Sequence, residues 1–345
     1  MRFSSARLEQ ILETFGQRRI LVVGDIMLDE FFWGKVTRIS PEAPVPIVDI
    51  QRRAAYPGGA ANVALTLASL GAQTSVSGII GQDEPGTHLK QLLADKGMAT
   101  DCIRVTPLRP TTHKTRICAI TRQLHDHLEI EDQQQIVRVD DESRAPLDPD
   151  SRQWLFARLR EEIKSHDAVI FSDYAKGFID QEMITLVISE AKAHGKIVAS
   201  DPNPNNPRTW SGATVLKPNR REAFLMAGLP YAQDEASVLA AGAVLQKQHS
   251  VDYLLITLTE AGMFLLKPGE KPYHTPTRAV DVTDVSGAGD TSIAAFTLAL
   301  ASGATAVEAA EIANHAAGVV VAKLGTATLT INELREMFVK TGGIA

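Results

Sequence analysis

The sequence is short of several things, and each shortage narrows what it can do. Only two cysteines, Cys102 and Cys118, occur in 345 residues. They give neither a disulfide framework nor the paired spacing of a metal site, so both read as reduced structural residues. No apolar run reaches the ~18 residues of a membrane span, and the opening MRFSSARLEQILETFGQRR lacks the continuous apolar core of a signal peptide. The expectation is a cytoplasmic protein with no membrane partner. Basic residues number 35 against 41 acidic ones, for a formal charge of -6, and no basic run stands out, which argues against a nucleic-acid partner. Two nucleotide-binding signatures are missing as well. There is no G-x-x-x-x-G-K-[ST], and no G-x-G-x-x-G follows the first strand, so neither a P-loop kinase nor a dinucleotide enzyme is supported. Internal repeats and low-complexity linkers are absent too.

What is present has the make-up of an ordinary α/β protein, 44% hydrophobic and 22% charged, and long enough to bury a large core. Length alone allows two domains, but without a linker we read residues 1–345 as one. The buried run ILVVGD (Ile20 to Asp25), the strand AVIFSD (Ala168 to Asp173) and KIVASDPN alternate with helical patterns, as in a mostly parallel central sheet flanked by helices. Strand TVLKPN (Thr214 to Asn219) and a long alanine-rich helix from Ala306 to Lys323 belong to the same rhythm. Two stretches break it. FFWGKVTRISPEAPVPIVDIQRRAAYPGG, with its prolines and β-branched alternation, and KTRICAITRQLHDHLEIED, with a period near two, predict extended strands. Together they predict a small protruding β-sheet, a lid from about 31–55 and 112–140. A lid of this kind covers a ligand and excludes water, and its apolar outer residues offer a pairing surface for a second copy. His113, His125 and His127 lie on it, without the Cys or Glu partners a metal site requires.

The candidate chemistry lies in Asp284 to Asp290, D-V-S-G-A-G-D, just before an apolar segment. The glycines around Ala288 let the amides of Gly287, Ala288 and Gly289 approach an anion at a helix N-terminus, and Asp290 falls in the first turn. A carboxylate there can accept a proton from a hydroxyl that attacks phosphorus. A capping turn before a buried helix gives the same pattern with no ligand. A second glycine turn, Gly58-Gly59-Ala60-Ala61-Asn62, also opens a helix, and Asn62 offers donor and acceptor to a sugar hydroxyl. Asp25 and Asp29 follow the first strand, at the sheet edge where ligands bind in open α/β sheets. Asp25 reads as a loop-capping carboxylate and Asp29 as a candidate for a polyol. Lys176, just past a strand end in Tyr174-Ala175-Lys176-Gly177, can hold a substrate phosphate, and Asp201 is placed similarly. Asn219 and Glu222, one helical turn apart, can face one ligand or form a capping box.

Gly58 to Asn62, Asn219 to Glu222, and Gly287-Ala288-Gly289-Asp290, in that order, resemble the ribokinase family of sugar kinases over essentially the whole chain. GDIMLDEFFWG, TRISPEAPVP, SDYAKG and DVSGAGDT are similar to its branch of bacterial heptose 7-phosphate kinases, which serve lipopolysaccharide core synthesis. The resemblance implies a ribokinase-like fold and transfer of a phosphoryl group from ATP, with magnesium, to O-1 of D-glycero-β-D-manno-heptose 7-phosphate. It implies Asp290 as base, and the amides of Gly287, Ala288 and Gly289 as anion hole. Asp29, Gly58, Gly59 and Asn62 would meet the sugar, with Lys176 or Arg38 at its phosphate. Asn219, Glu222, Thr257, Glu260, Gly262, Asn314 and Gly318 would border the nucleotide, and Glu222 would reach magnesium through water. Val285 departs from the family, which often has threonine there. A monovalent cation near Asp284 is left open, as is a homodimer through the lid. Many members of the branch carry a further carboxyl-terminal domain, and the end at Ala345 leads us to expect the stand-alone form. The rival readings are a kinase for another phosphosugar or nucleoside and a non-catalytic sugar or nucleotide sensor.

Overall fold

The computed structural model describes residues 3–125, 128–323, 325 and 327–344, with 121–132 described as backbone only. Its strands are β1 (Arg19–Gly24), β2 (Ile26–Ile39), β3 (Pro46–Gly59), β4 (Gln73–Gly81), β5 (Ala99–Thr106), β6 (His113–His125) and β7 (Leu128–Asp141), then β8 (Ala168–Ser172), β9 (Ile197–Asp201), β10 (Val215–Leu216), β11 (Tyr253–Thr257), β12 (Met263–Leu266) and β13 (Tyr273–Thr275). Nine of them form one sheet in the order β13-β12-β11-β10-β9-β8-β1-β4-β5. From β5 to β11 the pairing is parallel; β12 and β13 add antiparallel.

The alternation of side chains along β1 explains the layers. Ile20 and Val22 face one apolar core, which includes Leu67, Phe296 and Phe338, while Leu21 and Val23 face another with Phe171, Leu159 and Trp210. A sheet buried on both faces needs helices on both, and the chain supplies them. Trp210 packs edge-on against Phe171 with ring centroids 5.3 Å apart, an aromatic contact worth about 0.5–1.5 kcal/mol beyond its buried area. The helix Ala288–Ala301 is apolar on all sides, and every residue from Asp290 to Ala299 is buried. It is thus a core helix, and its first turn inherits that rigidity.

The remaining strands make the lid, in the order β3-β2-β6-β7. It runs wider than expected, because β2 begins at Ile26 and β3 ends at Gly59. Its centre also differs: β2 and β6 pair in parallel, with Asp29 beside Lys114 and Phe31 beside Arg116. Register partners share a face, so Lys114 and Arg116 lie on the side of the lid that carries Asp29. His113 pairs with Glu30 at 2.7 Å; His127 and the side chain of His125 lie outside the described residues. Among those residues no group of three His, Cys, Asp or Glu is arranged to hold a metal, and no helix is long and apolar enough to cross a membrane.

Two expected elements are shorter than the pattern implied. The strand Thr214 to Asn219 reduces to Val215–Leu216, since Pro218 cannot donate to a ladder, and Asn219 returns only as a bridge to Thr257. The alanine-rich helix ends at Val320 rather than Lys323. The carbonyl of Val321 instead accepts the N–H groups of Thr283 (2.7 Å) and Asp284 (3.1 Å). The helix end therefore holds the loop that leads into the glycine turn.

Candidate active site

Two helix N-termini meet beside the sheet. The helix Ala60–Ser69 begins after Gly59 and the helix Ala288–Ala301 after Gly287, both glycines in the positive-φ region (59° and 78°) that side chains disfavour. Asn62 and Asp290 are each the third residue of their helix. Asn62 Nδ2 donates to Asp290 Oδ2 at 2.7 Å, and the Tyr174 hydroxyl donates to Oδ1 at 2.8 Å. Burial pushes the Asp290 carboxyl above its ordinary range; the bonds from Asn62 and Tyr174 and the Lys217 ammonium pull it back, and Asp29 adds to the push. Two helix dipoles favour the ionised form further.

The glycine turn before Asp290 opens the helix as expected, with one difference. Gly287 caps its helix without a side-chain bond, leaving first-turn amides for an anion. The N–H of Ala288, however, already donates a long 3.3 Å bond to the carbonyl of Val285, and it would have to give up that partner to meet an anion. Beneath the turn lies a residue the sequence reading passed over. Lys217 is 2% exposed, its Nζ is 3.0 Å from Asp201 Oδ2, and a Cβ built on Gly289 would lie 3.6 Å from it. Burial works against this ammonium, but Asp201, Glu222 and Asp290 overcome it and hold its pKa above the ordinary value. Burial pushes the Asp201 carboxyl up, against the pull of Lys217.

A cavity of about 570 Å³ opens on this side of Asp290. It is lined by Gly287, Ala288, Gly289 and Asp290, by Asn219, Glu222, Thr257, Glu260 and Gly262, and by Asn314 and Gly318. Asn219 and Glu222 also form a capping box, and both line the cavity. Asn314 is committed, donating to Thr275 Oγ1 (2.8 Å) and Pro276 O (2.7 Å). Gly318 leaves room for the backbone of Arg278, which a Cβ would approach to 3.1 Å. Val285, where the family pattern has threonine, is 56% exposed at the cavity.

Of the residues expected at the sugar, Asn62 bonds Asp290 and the Asp29 charge acts on it. Asp29 is 5% exposed and pairs with Arg116. A Cβ at Gly58 would fall on the Asp29 carboxylate, which explains that glycine. Lys176 is buried, with Nζ 2.6 Å from Glu142 Oε2, and Lys114 approaches the same oxygen at 3.5 Å. Arg38 stands apart. It is exposed on the outer half of β2 opposite Ile47, nine residues along an extended strand from Asp29, roughly 30 Å at ~3.3 Å per residue. The structure does not bring it to the cavity. Tyr174, Lys217, Lys114 and Arg116 are the residues for which the sequence reading had no role.

The profile of the pfkB family of carbohydrate kinases matches residues 17–333. This chain belongs to that family. Among curated relatives of this carbohydrate kinase, the bifunctional protein HldE of Pelobacter propionicus is 39% identical over 327 residues, covering 95% of this chain and 64% of the relative. The HldE of Caulobacter vibrioides is 40% identical over 328 residues, with 95% and 65% covered. The chain thus spans about two thirds of the length of these relatives. Among solved structures, the ribokinase of Arabidopsis thaliana complexed with ribose and ATP superposes with a TM-score of 0.69 at 21% identity, covering 93% of this chain and 98% of that one. Phosphofructokinase-2 of Escherichia coli, in complex with potassium, gives 0.70 at 19% identity, covering 94% and 99%. The chain has the ribokinase-like α/β fold of this sugar kinase family.

Proposed function

We propose that this kinase transfers the γ-phosphoryl group of ATP to O-1 of D-glycero-β-D-manno-heptose 7-phosphate, giving the 1,7-bisphosphate for lipopolysaccharide core synthesis in the cytoplasm. The observation that carries the reading is the position of Asp290: it is bonded to Asn62 and Tyr174 and lines an acid-walled cavity, with Lys176 on the loop that carries Tyr174 and Arg116 paired to Asp29, whose charge acts on Asp290. The HldE relatives support the heptose, and the ATP of the plant ribokinase complex supports the nucleotide.

The reaction follows from these groups. The O-1 hydroxyl gives its proton to Asp290; the O-1 to phosphorus bond forms as the bond to the bridging oxygen breaks, and its electron pair leaves with ADP. The amides of Gly287, Ala288 and Gly289 and the Lys217 ammonium take up charge on the moving phosphoryl group. Magnesium fits the donor set: the Asp201 and Glu222 carboxylates both act on the single ammonium of Lys217. An ion that keeps most of its water suits such a site, and Glu222 would hold it through water. When bound, magnesium would neutralise charge on the phosphates. A monovalent cation near Asp284, supported by the potassium complex of phosphofructokinase-2, is tested by exchanging potassium for tetramethylammonium in the assay.

Lys176, on the loop that carries Tyr174, is the group we assign to the sugar's distal phosphate, with Lys114 beside it. Lys176→Met is expected to raise KM for the heptose 7-phosphate by about tenfold to a hundredfold, the effect of losing one charge-assisted bond, and to leave KM for ATP unchanged. Steady-state kinetics check it, and equal turnover of neutral sugars by the unaltered enzyme would transfer the reading to a nucleoside or simple sugar.

The lid supports a homodimer. Phe32, Ile117 and Val137 lie in register on the face opposite Asp29, and Val137 and Val139 are 46% and 54% exposed. Val139→Lys is expected to convert a dimer to a monomer in sedimentation velocity; an unchanged sedimentation coefficient would remove this face from the interface.

A further inference from the structure

We propose that Tyr174 is a positioning residue for the base, its hydroxyl fixing the Asp290 carboxylate in the orientation that receives the sugar's proton. The inference rests on Asp290 being that base. Each carboxylate oxygen offers about two lone-pair positions. Oδ2 takes Asn62 and Oδ1 takes Tyr174, so both oxygens are held and each keeps a position for an incoming hydroxyl.

The loop that carries Tyr174 is built to hold this aim. Asp25, 4% exposed, accepts three backbone N–H groups from it: Oδ2 takes Tyr174 (2.9 Å) and Lys176 (3.2 Å), and Oδ1 takes Phe178 (3.3 Å). Ala175, between the two functional residues, has φ 55°, a conformation that costs a side-chain-bearing residue energy and persists only where surroundings impose it. It is imposed here by the Asp25 clamp and by Asp173 Oδ1, which accepts Ala175 N–H at 2.8 Å. The loop therefore spends backbone strain on the direction of one phenol. That phenol is a fixed donor, since burial and the nearby Asp290 and Asp201 charges raise its pKa well above 10, and it neither supplies nor removes the transferred proton.

The charged and titratable groups acting on Asp290 come from several elements: Lys217 after β10, Asp201 at the end of β9, Asp29 on the lid and Tyr174 itself. Only Tyr174 can be deleted as a donor with little change in shape. A Tyr174→Phe enzyme should show kcat lowered by about tenfold to a hundredfold, as a misaligned base implies, with KM for ATP unchanged. Losing a hydrogen bond to the ionised form raises the carboxyl's pKa, so the acid limb of the kcat profile should move up by about one pH unit. Incorporation of 3-fluorotyrosine at 174, nearly the same size but a stronger donor, should move that limb down. Substrate phosphates titrate near ~6 in all three proteins, so the difference between profiles is the readout. A limb that stays put in the Phe enzyme, whatever happens to kcat, overturns the inference and leaves Tyr174 a packing residue. Should the Phe enzyme fail to fold, the fluorinated protein decides alone, and an unmoved or raised limb overturns the inference there too. Asp290→Asn separates the two readings: if it keeps turnover the base assignment fails, and if it abolishes turnover while the tyrosine variants leave the limb fixed, only this inference fails.

Discussion

Replacing Asp290 with asparagine is expected to lower kcat by about 10²- to 10⁴-fold, the range for loss of a general base, with ATP affinity nearly unchanged. The substitution is clean because the site can absorb it. Among the described residues, Asn62 Oδ1 is buried without a hydrogen-bond partner. A flip of the Asn62 amide presents that oxygen to the NH2 of an amide at 290, which keeps its own carbonyl for the Tyr174 hydroxyl. No buried charge is stranded either, since the substitution removes one that burial already disfavours. The melting temperature should accordingly hold or rise, which rules out unfolding as the cause of lost turnover. Single-turnover phosphoryl transfer and nucleotide binding by calorimetry check the two halves. Turnover within tenfold of the unaltered enzyme would remove Asp290 as base.

The residues legible in the sequence share one property: their neighbours in the chain define their geometry. A glycine turn followed by a small-residue helix fixes where Asp290 and Asn62 stand, and the capping-box spacing does the same for Asn219 and Glu222. Lys217 was illegible because its meaning comes from Asp201 and Gly289, which lie far along the chain; in TVLKPN it looks like the polar end of a strand. The lid was legible as two ribbons, yet its central parallel pairing joins β2 to a strand more than seventy residues away, and nothing local specifies that. Hence Lys114 and Arg116 could be seen to share a face without any sign of which face. Lys176 lies just past a strand end, as the pattern predicts, but its Glu142 partner comes from just past the end of β7. Arg38 shows the converse limit, since a short motif says nothing about distance along an extended strand.

Lys217→Met should be the most damaging change to stability, and its effect should depend on pH. The substitution keeps the volume of a 2% exposed side chain but strands the Asp201 carboxylate that now lies 3.0 Å from the ammonium. Breaking one partner of a buried pair costs about 3–5 kcal/mol. The sign of the pH effect follows from linkage. Burial already raises the folded-state pKa of Asp201, and Lys217 opposes the rise. Without the ammonium that pKa climbs further, so the variant's folded state keeps a proton that the wild type releases. A carboxyl with a raised folded-state pKa contributes stability present at low pH and lost as pH rises through that pKa. In the variant this loss continues beyond the pH at which it ends in the wild type, at up to about 1.4 kcal/mol per pH unit. The deficit measured by urea denaturation of the nucleotide-free protein should therefore be smaller at pH 5 than at pH 8. In catalysis, the amides at Gly287 to Gly289 would stabilise the moving phosphoryl group without the cation beneath them, and kcat should fall by about 10²- to 10³-fold. A deficit that is the same at pH 5 and 8, with kcat preserved, would mean that the Lys217 charge serves neither the fold nor the transfer, and the anion site would then rest on backbone amides alone.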